Sequence, residues 1–505
     1  MQLANEKDID ILRQKAMLLQ RENDLLHAKL AQLAAALDEA RGGEQQTLAL
    51  EIEALKEKLA LRQKALFGKS SEKQKDAETK PEKPERAPQP GHGPTPQPKL
   101  PIVEKIHELD EADKVCNACG GGLKPMNGQF EESEEIDVVQ RSFVVVKHKR
   151  QKYGCKCGGC VDTALGPDKL IAGGRYSIEF AAHVAGDKYL DHAALTRQAT
   201  QMQRQGLDVS DQTLWDQLDA LAKRCKKSYE ALRDYILTGK VVGADETRWP
   251  MLDGSQKTWW AWSIAGKNCA WYRIAKSRSH EEAGELLGDF HGTVMSDAYS
   301  AYEALRNVRL KRGQKAFVQA HCWAHSRRRY VQAAEFHPEA KEMVRLIGEL
   351  YAIEAKAAKA HELGTDEWRK YLTLLRQTES KATLAKIRTW ANTARARPTS
   401  ALGRAISYMT DNWRELGVFV DEVEVPLDNN DTERGIRGLA CGRKIHYGSK
   451  SERGTEVAAI FYSLCETCKR LGVDAEQYLA AVARADIASP GAVLMPHQFA
   501  AMQNA

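Results

Sequence analysis

The chain has 505 residues, 43% hydrophobic, 28% charged and 7% aromatic, and its basic residues outnumber its acidic ones by 74 − 69 = 5. That length accommodates about three or four domains, while a mean hydropathy of −0.52, with no apolar run of about 18 residues, excludes a membrane protein and a wholly disordered chain. So small a net charge does not announce a nucleic-acid partner, so the distribution of charge has to be read instead.

The opening MQLANEKDIDILRQKAMLLQ has no basic-then-apolar leader, which predicts a cytoplasmic protein with no membrane association. Residues 1–69 are expected to form a leucine-zipper-like coiled coil. Ile9, Ala16, Asn23, Leu30 and Leu37 occupy one core position of a heptad, and Leu12, Leu19, Leu26 and Leu33 the other. Such a seam is buried only against a partner helix, so it predicts self-association, and Asn23 favours a parallel two-stranded register. Gly42-Gly43 interrupts the repeat, and Leu48, Ile52, Leu55, Leu59 and Leu66 resume it in a second, shorter helix. The alternative is an amphipathic helix that folds back on its own chain. Residues 70–104, rich in Pro, Lys and Glu, read as an extended linker.

Residues 105–165 carry Cys116-x2-Cys119 and, after 35 intervening residues, Cys155-x-Cys157-x2-Cys160. Two knuckles of this spacing supply the four thiolates of a structural Zn²⁺ site, so four of these five cysteines are expected to be ligands. The segment between them alternates like a strand pair. Lys147, Lys149, Arg150 and Lys152, with Arg141 and Lys156, gather in the same module and are candidate DNA phosphate contacts. Residues 166–235 read as helices, with one ending near Gly206, a cap at Ser210 or Asp211, and Leu214, Leu218 and Leu221 on one side of the next. That is a helix-turn-helix-like pattern.

From residue 236 the pattern changes. KVVGADETRWPML, KTWWAWSIAG and CAWYRIAKS read as three strands, SHEEAGELL as a helix and GTVMSDAYSAY as a further strand. This order predicts a ribonuclease-H-like α/β core over residues 236–450, with the strand ends carrying Asp245 and Asp297 side by side, 52 residues apart in sequence. Paired carboxylates repel unless a cation lies between them, and hard oxygen ligands suit Mg²⁺ or Mn²⁺. A third carboxylate is expected in VPLDNNDTERGIRGLACGRK, where Asp428, Asn429 or Asn430 would cap a helix and Glu433 would project from its first turns, with Asp431 as a rival. Arg434, Arg437, Arg443 and Lys444 flank it as candidate DNA contacts. Residues of about 338–420 read as a helical insertion, and 451–505 as a C-terminal helical segment. Cys322-x2-His325, beside His321, has ligand-like spacing. Cys465 and Cys468 read as core, and Trp249, Trp259, Trp260 and Trp262 as packing for the sheet. The whole is a multidomain α+β chain.

These segments, in this order, resemble the DDE transposases of insertion-sequence family sixty-six (the large transposase subunit). The carriers are KYGCKCGGC, DKYLDHAALTRQ, ADETRW, SDAYSAY, HCWAHSRRRY, DNNDTERGIRGLACGRK and AAIFYSLCETCKRLGVDAEQYL, so the match runs from the coiled coil almost to the C-terminus. The resemblance assigns a catalytic, metal-binding triad to Asp245, Asp297 and Glu433, served by two Mg²⁺ or Mn²⁺ ions. It implies bacterial DNA transposition, in which element ends are bound and cut and the freed 3′-hydroxyl attacks target DNA. A nucleoid-associated protein with small accessory partners from the same element goes with that activity. The resemblance also places CWAHSRR in a helix near the active site, where Arg327 and Arg328 meet DNA and His325 either approaches the scissile phosphate or packs. Two other functions share these residues: a catalytically inactive DNA-binding regulator or assembly protein, and a ribonuclease-H-like nuclease without strand transfer.

Overall fold

A computed structural model describes residues 9–39, 48, 51–52, 55–60, 142–154, 161–254 and 258–503. The chain divides into two compact units, Met1–Leu66 with Phe143–Ala505, and Phe67–Ser142. Cys116, Cys119, Cys155, Cys157 and Cys160, Arg141, Lys156 and the 70–104 linker lie outside the described residues. Lys147, Lys149 and Arg150 lie on an exposed extended segment that leads into a short hairpin, β1 (Lys152–Gly154) with β2 (Val161–Thr163).

The centre of the large unit is a five-stranded sheet. Its strands are β3 (Val241–Pro250), β4 (Thr258–Gly266), β5 (Cys269–Ala275), β6 (Thr293–Ser296) and β7 (Val318–His321), in the spatial order β5-β4-β3-β6-β7. The first three pair antiparallel, and β3–β6 and β6–β7 pair parallel. Local chemistry dictates the change. Lys267 and Asn268, both with positive φ (53° and 59°), close β4 onto β5 in two residues, the geometry that matches strand twist in a tight hairpin. A parallel return needs a crossover, which α5 (His280–Leu287) and then α6 (Ser300–Lys311) provide. β4 and β5 are apolar on both faces because helices cover both. Trp249, Trp259 and Trp262 are buried in this core and Trp260 is half-buried.

β5 is a sheet edge, and its outward polar groups are satisfied by a helix, α14 (Glu452–Leu471). Ser463 Oγ accepts from Tyr272 N at 2.8 Å and Thr467 Oγ1 from Ala270 N at 3.1 Å. Side-chain hydroxyls here stand in for the next strand and block edge pairing. Cys465 and Cys468 of this helix are buried.

The helices before the sheet are α2 (Ile178–Tyr189), α3 (Leu195–Arg204) and α4 (Asp211–Leu237). Gly206, at φ 86°, makes the turn after α3, and Ser210 caps α4 by accepting from Thr213 N at 3.1 Å. The helix pair therefore has the expected turn and cap. α4 runs on for 27 residues and buries Leu214, Leu218, Leu221, Cys225, Leu232 and Ile236 in the same core as the sheet, so its apolar stripe is already fully used within the chain.

Between β7 and the third candidate carboxylate lie α7 (Trp323–Ala333), α8 (Ala340–Ala360), α9 (Asp366–Leu375), a π-turn (Arg376–Ser380), α10 (Lys381–Thr393), α11 (Ala401–Asp411) and α12 (Trp413–Gly417). They enclose a second core, in which Met343, Ile347, Leu402 and Met409 meet Met295, Ala320 and Trp323 from the sheet side.

At the N-terminus α1 (Ile9–Glu39) is one continuous helix. Asn23 is buried and Leu26, Leu30 and Leu33 are half-buried, while most of their neighbours are exposed. The second helix of the expected coiled coil behaves differently, folding back onto its own chain. Ile52 and Leu59 are buried. Glu57, 3% exposed, accepts from Ala401 N at the start of α11 at 2.7 Å and pairs with Arg404 at 3.0 Å and His337 at 3.5 Å. No helix among the described residues is long and apolar enough to cross a membrane.

Candidate active site

The parallel pairing of β3 with β6 keeps one offset: Val241 faces Thr293, Val242 faces Val294 and Gly243 faces Met295, each 52 residues apart. Two residues further along, the same offset brings Asp245, in the middle of β3, level with Asp297, the residue after β6, and the charge of Asp297 acts on Asp245. The carboxyl ends of parallel strands are where open α/β sheets hold ligands. β7 extends the row, pairing Ser296 with His321, so Cys322 and α7 begin beside Asp297.

The third element is α13 (Asn430–His446). Gly243 lets it approach: a Cβ there would lie 2.0 Å from Thr432 Oγ1 and 2.8 Å from Asn429 Oδ1. Asn429 is the N-cap residue of α13, but its side chain does not cap. Its Nδ2 donates to the Ala244 carbonyl at 2.9 Å, and its backbone N–H donates to Cys322 Sγ at 3.3 Å. Asp428 takes over locally, Oδ1 accepting from Asn430 N at 3.0 Å. One buried amide thus ties the helix start to the strand residue before Asp245.

Glu433 lies in the first turn of α13, with Oε1 3.6 Å from His325 Nδ1 and Oε2 3.7 Å from Arg328. Asp431, the rival, is exposed and engaged elsewhere, by Arg470 at 2.8 Å and Arg434 at 3.4 Å.

Burial, then the charges of Glu246, Asp297 and Glu433, push Asp245 up to about 8, against the backbone N–H of Glu246 that donates to it. Glu433 Oε1 is buried without a hydrogen-bond donor. The carboxylates of Asp245, Asp297 and Glu433, whose charges act on one another, are hard oxygen donors of the kind a divalent cation takes, and a cation among them would lower their mutual repulsion.

His325 is held below its ordinary value, chiefly by burial, although Glu433 and Asp297 act in the opposite direction. Cys322, His325 and Glu433 each offer a ligand atom within 4.8 Å of the others. Burial pushes the Cys322 thiol up to about 11, so it stays protonated and packs, accepting the Asn429 N–H. Cys322 and His325 flank the joint between β7 and α7.

The basic candidates divide into two groups. Arg327 and Arg328 on α7, and Arg434, Arg437 and Lys444 on α13, are exposed. Arg443 is half-buried and serves the fold, donating to Thr247 Oγ1 at 2.8 Å and to the Arg248 carbonyl.

Three contributors are absent from the sequence reading: Asn429 as a strand tether, Tyr408 of α11, whose hydroxyl donates to the Asp297 carbonyl at 3.2 Å, and Glu246. Only Glu246 carried a signal. Val242, Ala244 and Glu246 fall on one face of β3, so alternation places a charge on a core face.

The sequence profile described as "Transposase IS66 family" matches residues 173–457. A second profile, "zinc-finger binding domain of transposase IS66", matches residues 113–158, a span that holds Cys116, Cys119, Cys155 and Cys157 and stops short of Cys160. Among similar proteins, the uncharacterized protein y4jD of Sinorhizobium fredii is 29% identical over 398 residues, 76% of each chain. Protein y4qI of the same organism, also uncharacterized, is 29% identical over 439 residues, 83% of this chain and 79% of its own. No solved structure matches.

Proposed function

Because the chain belongs to the IS66 family of transposases, its profile covering more than half of the sequence, we propose that it is an active DDE transposase with Asp245, Asp297 and Glu433 as its metal-binding triad. The observation that carries this reading is the 52-residue offset of the β3–β6 register, which, carried on by two residues, supports Asp245 and Asp297 as neighbours, with Glu433 on a helix that packs closely against Gly243. The strand order, three antiparallel strands followed by two parallel ones, supports a ribonuclease-H-like core.

Mg²⁺ or Mn²⁺ bound there, as one or a pair of ions, would supply Lewis-acid activation of an attacking oxygen and charge neutralisation at the leaving one. The chain's own residues do the rest. Asp245 on β3, Asp297 just after β6 and Glu433 on α13 would hold the cations. Arg327 and Arg328, exposed on α7 beside Glu433, meet DNA phosphates and hold the strand in register with the carboxylates. Arg434, Arg437 and Lys444 extend that basic surface, while the cysteine module, with a structural Zn²⁺ held by four of its five cysteines, and the basic segment Lys147–Lys152 contact element ends. Through α1 the protein self-associates, and accessory proteins of the element join the assembly.

The test is cleavage and joining of labelled element-end DNA, with and without Mg²⁺. Nicking followed by a joined product is expected, and Asp245→Asn is expected to abolish both while end binding persists. Nicking without joining would favour the nuclease reading. Full cleavage by Asp245→Asn would remove the triad.

A further inference from the structure

Consecutive strand residues point to opposite faces, so Glu246 leaves β3 on the side away from Asp245 and α13. Val242 and Ala244 precede it on that face, both fully buried, and the Glu246 side chain is 1% exposed. A carboxylate in such a layer is costly unless paired. Glu246 accepts from Arg278 Nε at 3.0 Å and from Arg278 Nη2, and Tyr302 Oη donates to it at 3.2 Å. A buried ion pair of this kind adds little net stability over apolar side chains of equal volume, so stability does not account for its presence.

The far end of the network offers a reason. The Arg278 guanidinium lies 3.7 Å from the centroid of the Tyr299 ring and 4.7 Å from that of Trp260. Tyr299 Oη donates to the Arg278 carbonyl at 2.6 Å, and the Tyr299 backbone N–H donates to Asp297 Oδ1 at 3.1 Å. Between these two residues Ala298 has φ 68°, a left-handed conformation that costs a non-glycine residue about 1 kcal/mol or more and persists only where its surroundings impose it. Arg278 and Tyr299 impose it from one side, and Tyr408, bonded to the Asp297 carbonyl, from the other.

We propose that Glu246 is a positioning residue for the metal site: through Arg278 and Tyr299 it holds the Ser296–Tyr299 turn in the shape that presents the Asp297 carboxylate beside Asp245. Glu246 itself touches neither cation nor DNA. The proposal rests on the reading of Asp245 and Asp297 as cation ligands, and its test separates the two.

Full-length protein is titrated with Mn²⁺ by calorimetry, and metal-free thermal unfolding is recorded in parallel. Asp245→Asn is expected to lose the triad-dependent binding. Glu246→Gln and Arg278→Lys are expected to unfold cooperatively yet bind Mn²⁺ about 10–100-fold more weakly, the range for groups that orient metal ligands. In DNA nicking, the half-saturating metal concentration rises by the same factor, while the rate at saturating metal changes less. Parental Mn²⁺ affinity in both variants, with Asp245→Asn deficient, overturns the role of Glu246 and leaves the triad standing. Unchanged binding in Asp245→Asn overturns the triad itself. Should Glu246→Gln fail to fold, Arg278→Lys, on the more exposed partner, decides the question alone.

Discussion

A single methyl group at Gly243 separates a packing requirement from a catalytic one. Gly→Ala inside a strand ordinarily stabilises by roughly 0.5–1 kcal/mol, because glycine has the most backbone freedom to lose. At residue 243 the sign reverses. The new Cβ would lie 2.0 Å from Thr432 Oγ1, and ordinary contact begins at 3.4 Å, so helix and strand must separate by about 3.4 − 2.0 = 1.4 Å. Neither partner yields easily, since Asn429 and Thr432 are buried and Asn429 is bonded to the next strand residue. Overpacking of this kind costs about 1–3 kcal/mol. Glu433 follows Thr432 directly, so the same displacement moves the third carboxylate, and an error of about 1 Å in a catalytic group costs on the order of 100-fold in rate. Gly243→Ala is therefore expected to melt at a lower temperature and to nick end DNA about two orders of magnitude more slowly. Thr432→Ala, added to it, removes the closest atom, leaving Asn429 Oδ1 at 2.8 Å, and should restore part of both losses. Gly243→Ala with the parental rate and melting temperature would show that α13 does not need this close approach, and the docking account of Glu433 would fall with it.

Three further outcomes follow from the same geometry. Asp245, raised from 3.8 to about 8, keeps its proton in the folded chain after the unfolded chain has lost it. Metal-free protein should therefore lose stability as pH rises from about 4 to 8, and Asp245→Asn should flatten that slope in urea unfolding, an equal slope in both proteins refuting the assignment. Glu57→Ala leaves Arg404, His337 and the Ala401 N–H without their buried carboxylate. Breaking such a group costs about 3–5 kcal/mol, so residues 51–60 should become rapidly cleaved by protease, and unchanged cleavage would count against the docking. Elemental analysis is expected to find one zinc per chain, lost in Cys116→Ser, and a zinc-free parent would end the four-thiolate reading.

What the sequence made legible depended on whether one residue's surroundings lie close along the chain. The pairing of β3 with β6 was legible because a parallel register keeps one offset: once strands were placed at Asp245 and before Asp297, the 51 residues between those two left room for the observed crossover. The choice between Asp431 and Glu433 was harder, since two residues on a helix are separated by about 200° and only one can face the sheet. The contact stripe Asn429, Thr432, Glu433 and Ile436 has the i, i+3, i+4, i+7 spacing of a buried face, and Asp431 lies off it. That stripe becomes visible only after Gly243 is recognised as the surface it packs on. The helix around Ile52 and Leu59 shows the opposite case. Its apolar spacing resumes a helical repeat after the Gly42-Gly43 break, yet it docks on α11 because Glu57 finds Arg404 about 350 residues away in sequence. Periodicity specifies that a face is buried and leaves its partner open, so α1, whose half-buried stripe includes Leu26, Leu30 and Leu33, and the helix after it are separate questions although each carries an apolar repeat.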